Sequence, residues 1–364
     1  MVETRLTQAV KILFLFWLII AALYYAQDFL IPIAFAAILS MLLLPVAHYF
    51  ERKGWSKGIS ALTALLLFIL GAGAVIALLS WQVSGLAEDV GQMQQRIQGQ
   101  IDKLQQYLSS NLNISAEQQK EMLEKQQQSG SGNMPAMAAT FLSGVMGFLV
   151  DLLLTLVYMF LFLYFRTHLK KFIIKLVPDD NRQKAVKILH ESSKVGQQYL
   201  TGLAMMILML WVLYGIGFSI VGVKNALFFA VLCGLLEIVP FIGNLLGNAL
   251  AVLMVITQGG DSGMIIGVLI TYGLVQFVQS YLLEPLVVGA EVNLNPLFTI
   301  LVLVLGELLW GIAGMVLAIP LLGIVKVVFD HIPALQPYGF LIGEEKKKKK
   351  SGLSEKISGL FKKK

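Results

Sequence analysis

Acidic and amide side chains interrupt stretches that are otherwise apolar enough for a bilayer. Asp151 stands mid-way along Met137–Phe165, and Glu237 and Glu307 lie inside long apolar stretches of the C-terminal third. Asn244 and Asn248 follow Glu237, four apart and so on one helical face. Tyr272, Gln276 and Gln279 share a face of a further apolar run that Glu284 closes. An acid at the bilayer centre costs about 2.5–3.5 kcal/mol on insertion scales, so each needs a reason to be there. One reason is a polar pathway for a solute with a coupling ion. The other is glue, in which the side chain hydrogen-bonds a neighbouring helix. The pathway reading is favoured for Glu237 and Glu307 and packing for Tyr272. Both roles stay open for Asp151, Gln276 and Gln279.

Other chemistry finds little footing. His48, His168, His190 and His331 are scattered without metal-ligand spacing, so neither metal nor cofactor is expected. There is no G-x-S-x-G, H-E-x-x-H or phosphate loop. The chain therefore does not read as an enzyme or an ATP-driven pump, and an ion gradient should drive any concentrative transport. The one cysteine, Cys233, lies in an apolar run and reads as packing; no intrachain disulfide is possible.

The elements that position the polar groups carry an internal repeat. Asn225-Ala-Leu-Phe through Glu237 matches Asn295-Pro-Leu-Phe through Glu307, with Asn, Leu, Phe and Glu at equal offsets. Breakers follow each glutamate: Pro240, Gly243 and Gly247 in the first copy, Gly311 and Gly314 in the second. Each copy is too long for a simple span and interrupted at its middle, so the spacing predicts broken helices or re-entrant hairpins. The charge rule adds a parity condition. One hairpin alone would put the Lys-rich tail outside, so hairpins come as a pair or not at all. A pair enters from opposite faces, the inverted repeat of alternating-access transporters.

Composition sets the frame. Hydrophobic residues make up 57% of the 364 and charged residues 14%, against about 25% charged in soluble chains. Spans in lipid must be helices or closed barrels, and these runs lack strand alternation. The expected fold is all-α and polytopic, with about 6–8 membrane segments. The N-terminal run reads as an uncleaved first membrane helix. The organisation reads as N-terminal membrane helices over 1–81 and an extracytoplasmic amphipathic insert over 82–136. A long membrane helix follows over 137–165, then a basic amphipathic segment over 166–201 lying along the cytoplasmic face. A membrane core over 202–330 and a Lys-rich tail over 331–364 complete it. The net charge of +6 comes from Lys and Arg in loops and tail, where membrane topology places them, so nucleic acid is rejected as a partner. The same bias puts Arg52–Lys57, Arg166–Lys194, the tail and both termini in the cytoplasm. The insert carries an apolar seam from Val83 to Leu108 that suits the protein's own body or a neighbouring subunit.

An ordered set of C-terminal residues resembles a known family. It comprises Glu237-Ile-Val-Pro240-Phe-Ile-Gly243, Gln276–Gln279, Glu284-Pro285-Leu-Val-Val-Gly289, Val292-Asn-Leu-Asn-Pro296 and Gly311-Ile-Ala-Gly314 through Pro320. These residues are similar to the autoinducer-2 exporter family of bacterial membrane proteins, and the plan of the whole chain matches. The resemblance implies a multi-span inner-membrane permease that forms homo-oligomers. Some members export the quorum-sensing signal autoinducer-2, and others are described as sodium–proton antiporters. The expected partners are then a small polar solute, or a monovalent cation with a proton, and the lipid bilayer. Acids in the pathway suit cations, so the antiport reading stays open beside solute export. A non-transporting scaffold built on the Val83–Leu108 seam is the third alternative. Compared with the family, the polybasic tail Glu344–Lys364 is a departure, read as an anchor to anionic lipid or a solvated end.

Overall fold

The computed structural model describes residues 2–87, 134–240, 242–288 and 294–344. Among these residues there is no β-strand, only one isolated bridge between Leu294 and Gly343. Six helices are long and apolar enough to cross a membrane, as expected of an all-α polytopic membrane protein.

The N-terminal bundle comprises α1 (Val2–Tyr25), α2 (Gln27–Arg52), α3 (Lys57–Ala87) and α4 (Met134–Lys175). Ala36, Ala47, Ala61 and Ala64 are fully buried where α2 and α3 meet α4, alongside Met159 and Leu163. Alanine at these positions lets backbones approach closely, which is how helices associate in lipid. An ion pair between Arg166 on α4 and Glu51 on α2 closes one end of this bundle. The amphipathic insert falls largely on 88–133, outside the described residues.

Asp179–Asn181 form a 3-10 turn that opens α5 (Arg182–Val221). At 1.5 Å per residue this 40-residue rod is about 60 Å long, twice the hydrocarbon thickness. The basic segment expected over 166–201 is divided between two long helices. Its first part belongs to α4, which continues to Lys175, and the rest is the N-terminal half of α5. A switch from basic to apolar composition does not break a helix, because lysine and arginine are good helix formers. Gly222, at φ +83, stops α5 and returns its amide to the Phe218 and Ser219 carbonyls.

Two hairpins follow. In the first, α6 (Ala226–Leu236) and α7 (Ile242–Thr257) flank a turn over Glu237–Pro240. Gly243 abuts the Leu236 carbonyl and Gly247 abuts Cys233, so the two arms lie backbone to backbone. Gly243 was expected as part of the break. It lies instead in the returning arm, where the absence of a Cβ is what lets the arms close. Gln258 ties the mouth shut, accepting from the Lys224 amide at 2.7 Å and donating to the Gly222 carbonyl at 3.2 Å.

The second hairpin is α9 (Pro296–His331), whose helical path breaks at Trp310 and Gly311. Asn295 caps its first turn by accepting from the Leu297 amide at 3.0 Å, with Pro296 at the first position. Beyond the break the chain folds back: Gly306 packs on Gly314, and Leu303 clusters with Met315 and Ala318. Residues eight and fifteen apart in a straight helix would be about 12 and 22 Å apart. The mouth of this hairpin lies near Glu191 on α5, which His331 approaches at 3.3 Å. The first hairpin opens at Gly222, at the other end of α5 and about 46 Å away along its axis. The two hairpins thus enter from opposite ends of one helix. Val239, at the first tip, packs against the Leu303–Met315–Ala318 cluster of the second.

Between them runs α8 (Ser262–Val278), capped by Asp261 and continuing as a π-helix over Gln279–Val288. Gly217 on α5 touches Thr271, and Gly267 touches Val221, so α5 and α8 lie in close contact. A short α10 (Gln336–Ile342) joins back to Asn295, whose amide donates to the Ile342 carbonyl at 2.8 Å.

Candidate functional site

The first hairpin's tip, α7, α5 and the α8–π junction converge on one polar cluster. Glu237 is the first residue past α6, where the helix ends and its side chain turns toward α8. Gln279 Nε2 donates to Glu237 Oε1 at 2.7 Å, and Gln279 is only 1% exposed. Glu284 lies five residues further along the π-helix and is exposed. A second set adjoins it: Asn244 donates to Gln276 and accepts from the Tyr214 hydroxyl at 3.5 Å. Tyr214 in turn belongs to the same core cluster as Cys233, against which Tyr272 packs.

The π-helix bears on this arrangement. Its i→i+5 bonding begins at Gln279, and such stretches concentrate at functional sites because they displace side chains from the α-helical register. Three oxygens in or beside the cluster are buried without a protein hydrogen-bond partner: Glu237 Oε2, Gln279 Oε1 and Asn248 Oδ1. A buried acceptor left unsatisfied costs about 1–3 kcal/mol. A proton, water or a small cation delivered there would recover that cost.

Most of the residues singled out from sequence come together here. Glu237 and Pro240 form the tip, Gly243 closes the arms, and Asn244 and Asn248 face inward from α7. Gln276, Gln279 and Glu284 come from α8 and its extension. Three residues stand elsewhere. Glu307 is exposed one turn before the second break, and Gly311 forms that break. Asp151 is exposed on α4 in the N-terminal bundle. The repeat therefore predicts two equivalent glutamates, but the fold half-buries Glu237 and leaves Glu307 at the surface. Tyr214 escaped the sequence reading. Its signal was a lone hydroxyl on a buried stripe of α5, with Leu210 and Phe218 at four-residue steps.

Oppositely entering hairpins around a buried polar cluster define the class: a polytopic α-helical membrane transport protein. The chain belongs to the AI-2E transporter family, whose description "AI-2E family transporter" it matches over residues 13–334. It is 25% identical over 323 residues to YrrI of Bacillus subtilis, covering 87% of this chain and 88% of the relative. YueF of the same organism is 28% identical over 317 residues, covering 84% of each chain. YhhT of Escherichia coli K12 is 24% identical over 327 residues, covering 89% and 91%. All three are named as candidate transport proteins.

Proposed function

We propose that this permease exports a small polar solute such as autoinducer-2 by ion-coupled secondary transport, with Glu237 as the coupling group. The supporting observation is the partly buried Glu237–Gln279 hydrogen bond at a hairpin tip, with one carboxylate oxygen buried and unpartnered. Gln276, Asn244, Asn248 and Tyr214 supply the donors and acceptors that a hydroxylated solute needs. Glu237 binds the coupling proton or cation at its unpartnered oxygen. Rocking one hairpin against the other exposes the cluster to each face in turn. In this proposal the protein is a homo-oligomer of the bacterial inner membrane, with both termini cytoplasmic.

A second reading has its own support. A carboxylate with one unpartnered oxygen beside unpartnered amide oxygens, with no ion pair to a base among the described residues, suits a monovalent cation exchanging with a proton. This is sodium or lithium–proton antiport, and it uses the same residues. Flux in proteoliposomes, with imposed proton and sodium gradients and a panel of furanosyl signals and cations, separates the two readings. The Glu237→Gln variant should lose gradient-driven flux of whichever solute moves. Undiminished coupled flux in that variant defeats both assignments.

A further inference from the structure

Away from the hairpins, the Lys-rich end of the N-terminal bundle holds a groove of ≈ 520 Å³ between the start of α3 and the end of α4. Its polar lining is Ser56, Lys57, Thr167, His168 and Lys171, with Tyr164 as one wall, and no lining residue is acidic. Tyr164, His168 and Lys171 fall at i, i+4 and i+7, so α4 presents them on a single face. From α3 comes Lys57 at its first position, where Ser56 caps the turn, its hydroxyl accepting from the Ile59 amide at 3.4 Å and its carbonyl from the Ser60 amide at 2.9 Å. Neither Lys57 nor Lys171 is in an ion pair among the described residues. The nearby Arg166 charge is already matched by Glu51.

Depth and shape say what this groove holds. Trp55 and Tyr49 are exposed beside it, with Lys53 over the Tyr49 ring at 4.6 Å. Exposed tryptophan and tyrosine beside lysine mark the headgroup level of a bilayer. Toward the membrane interior the same faces turn apolar. Leu62 and Leu66 lie exposed along α3 on the face of Gly58, which also lines the groove, and Leu161 and Val157 lie exposed along the Tyr164 face of α4. A ligand here would meet ammonium and hydroxyl groups at one end and a greasy slope at the other. The volume lies within the usual range for a small-molecule site.

We infer that this groove binds the phosphate headgroup of an anionic phospholipid in the Lys-rich leaflet, with the acyl chains lying along α3 and α4. Lys57 and Lys171 contribute charge, and Ser56, Thr167 and His168 contribute hydrogen bonds. Free phosphate shares the headgroup chemistry but leaves the apolar slope uncovered.

The test uses the full chain in detergent, with phosphatidylglycerol, phosphatidylcholine or sodium phosphate added. Thermal unfolding and native mass spectrometry of retained lipid are the readouts. Phosphatidylglycerol should stabilise the protein more than phosphatidylcholine does, and sodium phosphate should not reproduce the effect. A lysine at an anionic surface is worth roughly a fivefold change in affinity, so Lys57→Gln with Lys171→Gln should weaken phosphatidylglycerol binding about 25-fold. The charge-matched pair Lys175→Gln with Lys184→Gln, outside the groove, should retain binding. Equal losses in both pairs would reduce the effect to net charge and overturn the site. Equal protection by sodium phosphate would overturn the lipid assignment. If the double variant does not elute as a single species, Lys57→Gln and Lys171→Gln alone carry the same comparison, each expected to weaken binding about fivefold.

Discussion

Gln279 donates to Glu237 over 2.7 Å, joining the tip of the first hairpin to the first residue of the π-helix. The contact spans 42 residues of sequence and links the first hairpin to the extension of α8. Replacing Gln279 by leucine would leave Glu237 without its donor. A hydrogen bond to a charged group contributes about 1.5–3 kcal/mol, so coupled flux in Gln279→Leu should fall at least about tenfold. Gln279→Asn, which keeps the amide on a shorter arm, should retain more. Proteoliposome flux at matched protein density measures both. Equal flux in Gln279→Leu and the parent would remove this contact from the mechanism.

The hairpins depend on glycine where arms touch. A Cβ on Gly243 would overlap the Leu236 carbonyl, and one on Gly314 would overlap the Gly306 carbonyl. Backbone cannot yield as a flexible side chain does, so Gly243→Ala and Gly314→Ala should each destabilise by about 1–3 kcal/mol or more. Gly73 on α3 meets nothing within 4 Å, so Gly73→Ala should melt like the parent. Thermal unfolding in detergent distinguishes the three, and similar midpoints for all would argue against close-packed arms.

Gly311 tests a different cost. It sits at φ +58 and ψ −140 with open space where a Cβ would go. That backbone region is essentially restricted to glycine, and entering it costs other residues about 1–3 kcal/mol. Gly311→Ala should therefore lose stability through backbone strain alone, with no clash to relieve. A compensating cavity elsewhere should not rescue it. Unfolding midpoints for Gly311→Ala, alone and combined with Leu303→Ala, check this: the second change should add its own loss.

How far the sequence carried these features follows from where each signal resides. The paired Asn-to-Glu stretches exposed two interrupted helices because breakers and acids stand out against apolar runs. Pairing and opposite entry followed from lysine bias and parity. The position of the first break was less legible. Gly243 and Gly247 read as breakers but serve as contact points within helical arms, while the turn itself uses Glu237 through Pro240. The π-helix at Gln279 has no single-residue signature, since any side chain tolerates the wider turn. Glu307 matched Glu237 in the repeat yet stays exposed, because equal offset along two helices does not fix which face meets the core. Tyr214 joined the cluster only through packing between α5 and α7 that sequence spacing does not encode.

The Arg166–Glu51 pair locks α4 to α2 with both side chains about four-fifths covered. Removing one partner leaves a partly buried charge, and Glu51 Oε1 already lacks a hydrogen-bond partner. Arg166→Ala should destabilise by about 1.5–3 kcal/mol. Arg166→Glu combined with Glu51→Arg should recover part of that loss, since attraction survives the swap. A double variant no better than the sum of the singles would show that the two residues do not interact.

Hairpin geometry makes the sharpest claim about topology. Each hairpin returns to the face it left, so residues flanking its mouth share a side of the membrane. Lys224 precedes the first hairpin and Ser262 follows it; Leu297 opens the second and Gln336 lies beyond it, all four at the surface of the chain. Single cysteines at these positions, in a Cys233→Ala background, can be labelled with an impermeant maleimide from either side of oriented vesicles. Lys224→Cys and Ser262→Cys should label from one side, and Leu297→Cys and Gln336→Cys from the other. Straight helices through 296–331 would instead separate Leu297 from Gln336. A straight path through 226–257 would likewise separate Lys224 from Ser262. Labelling that splits either pair would replace the hairpin with a full crossing and remove the loosened backbone on which the proposed alternating access of Glu237 rests.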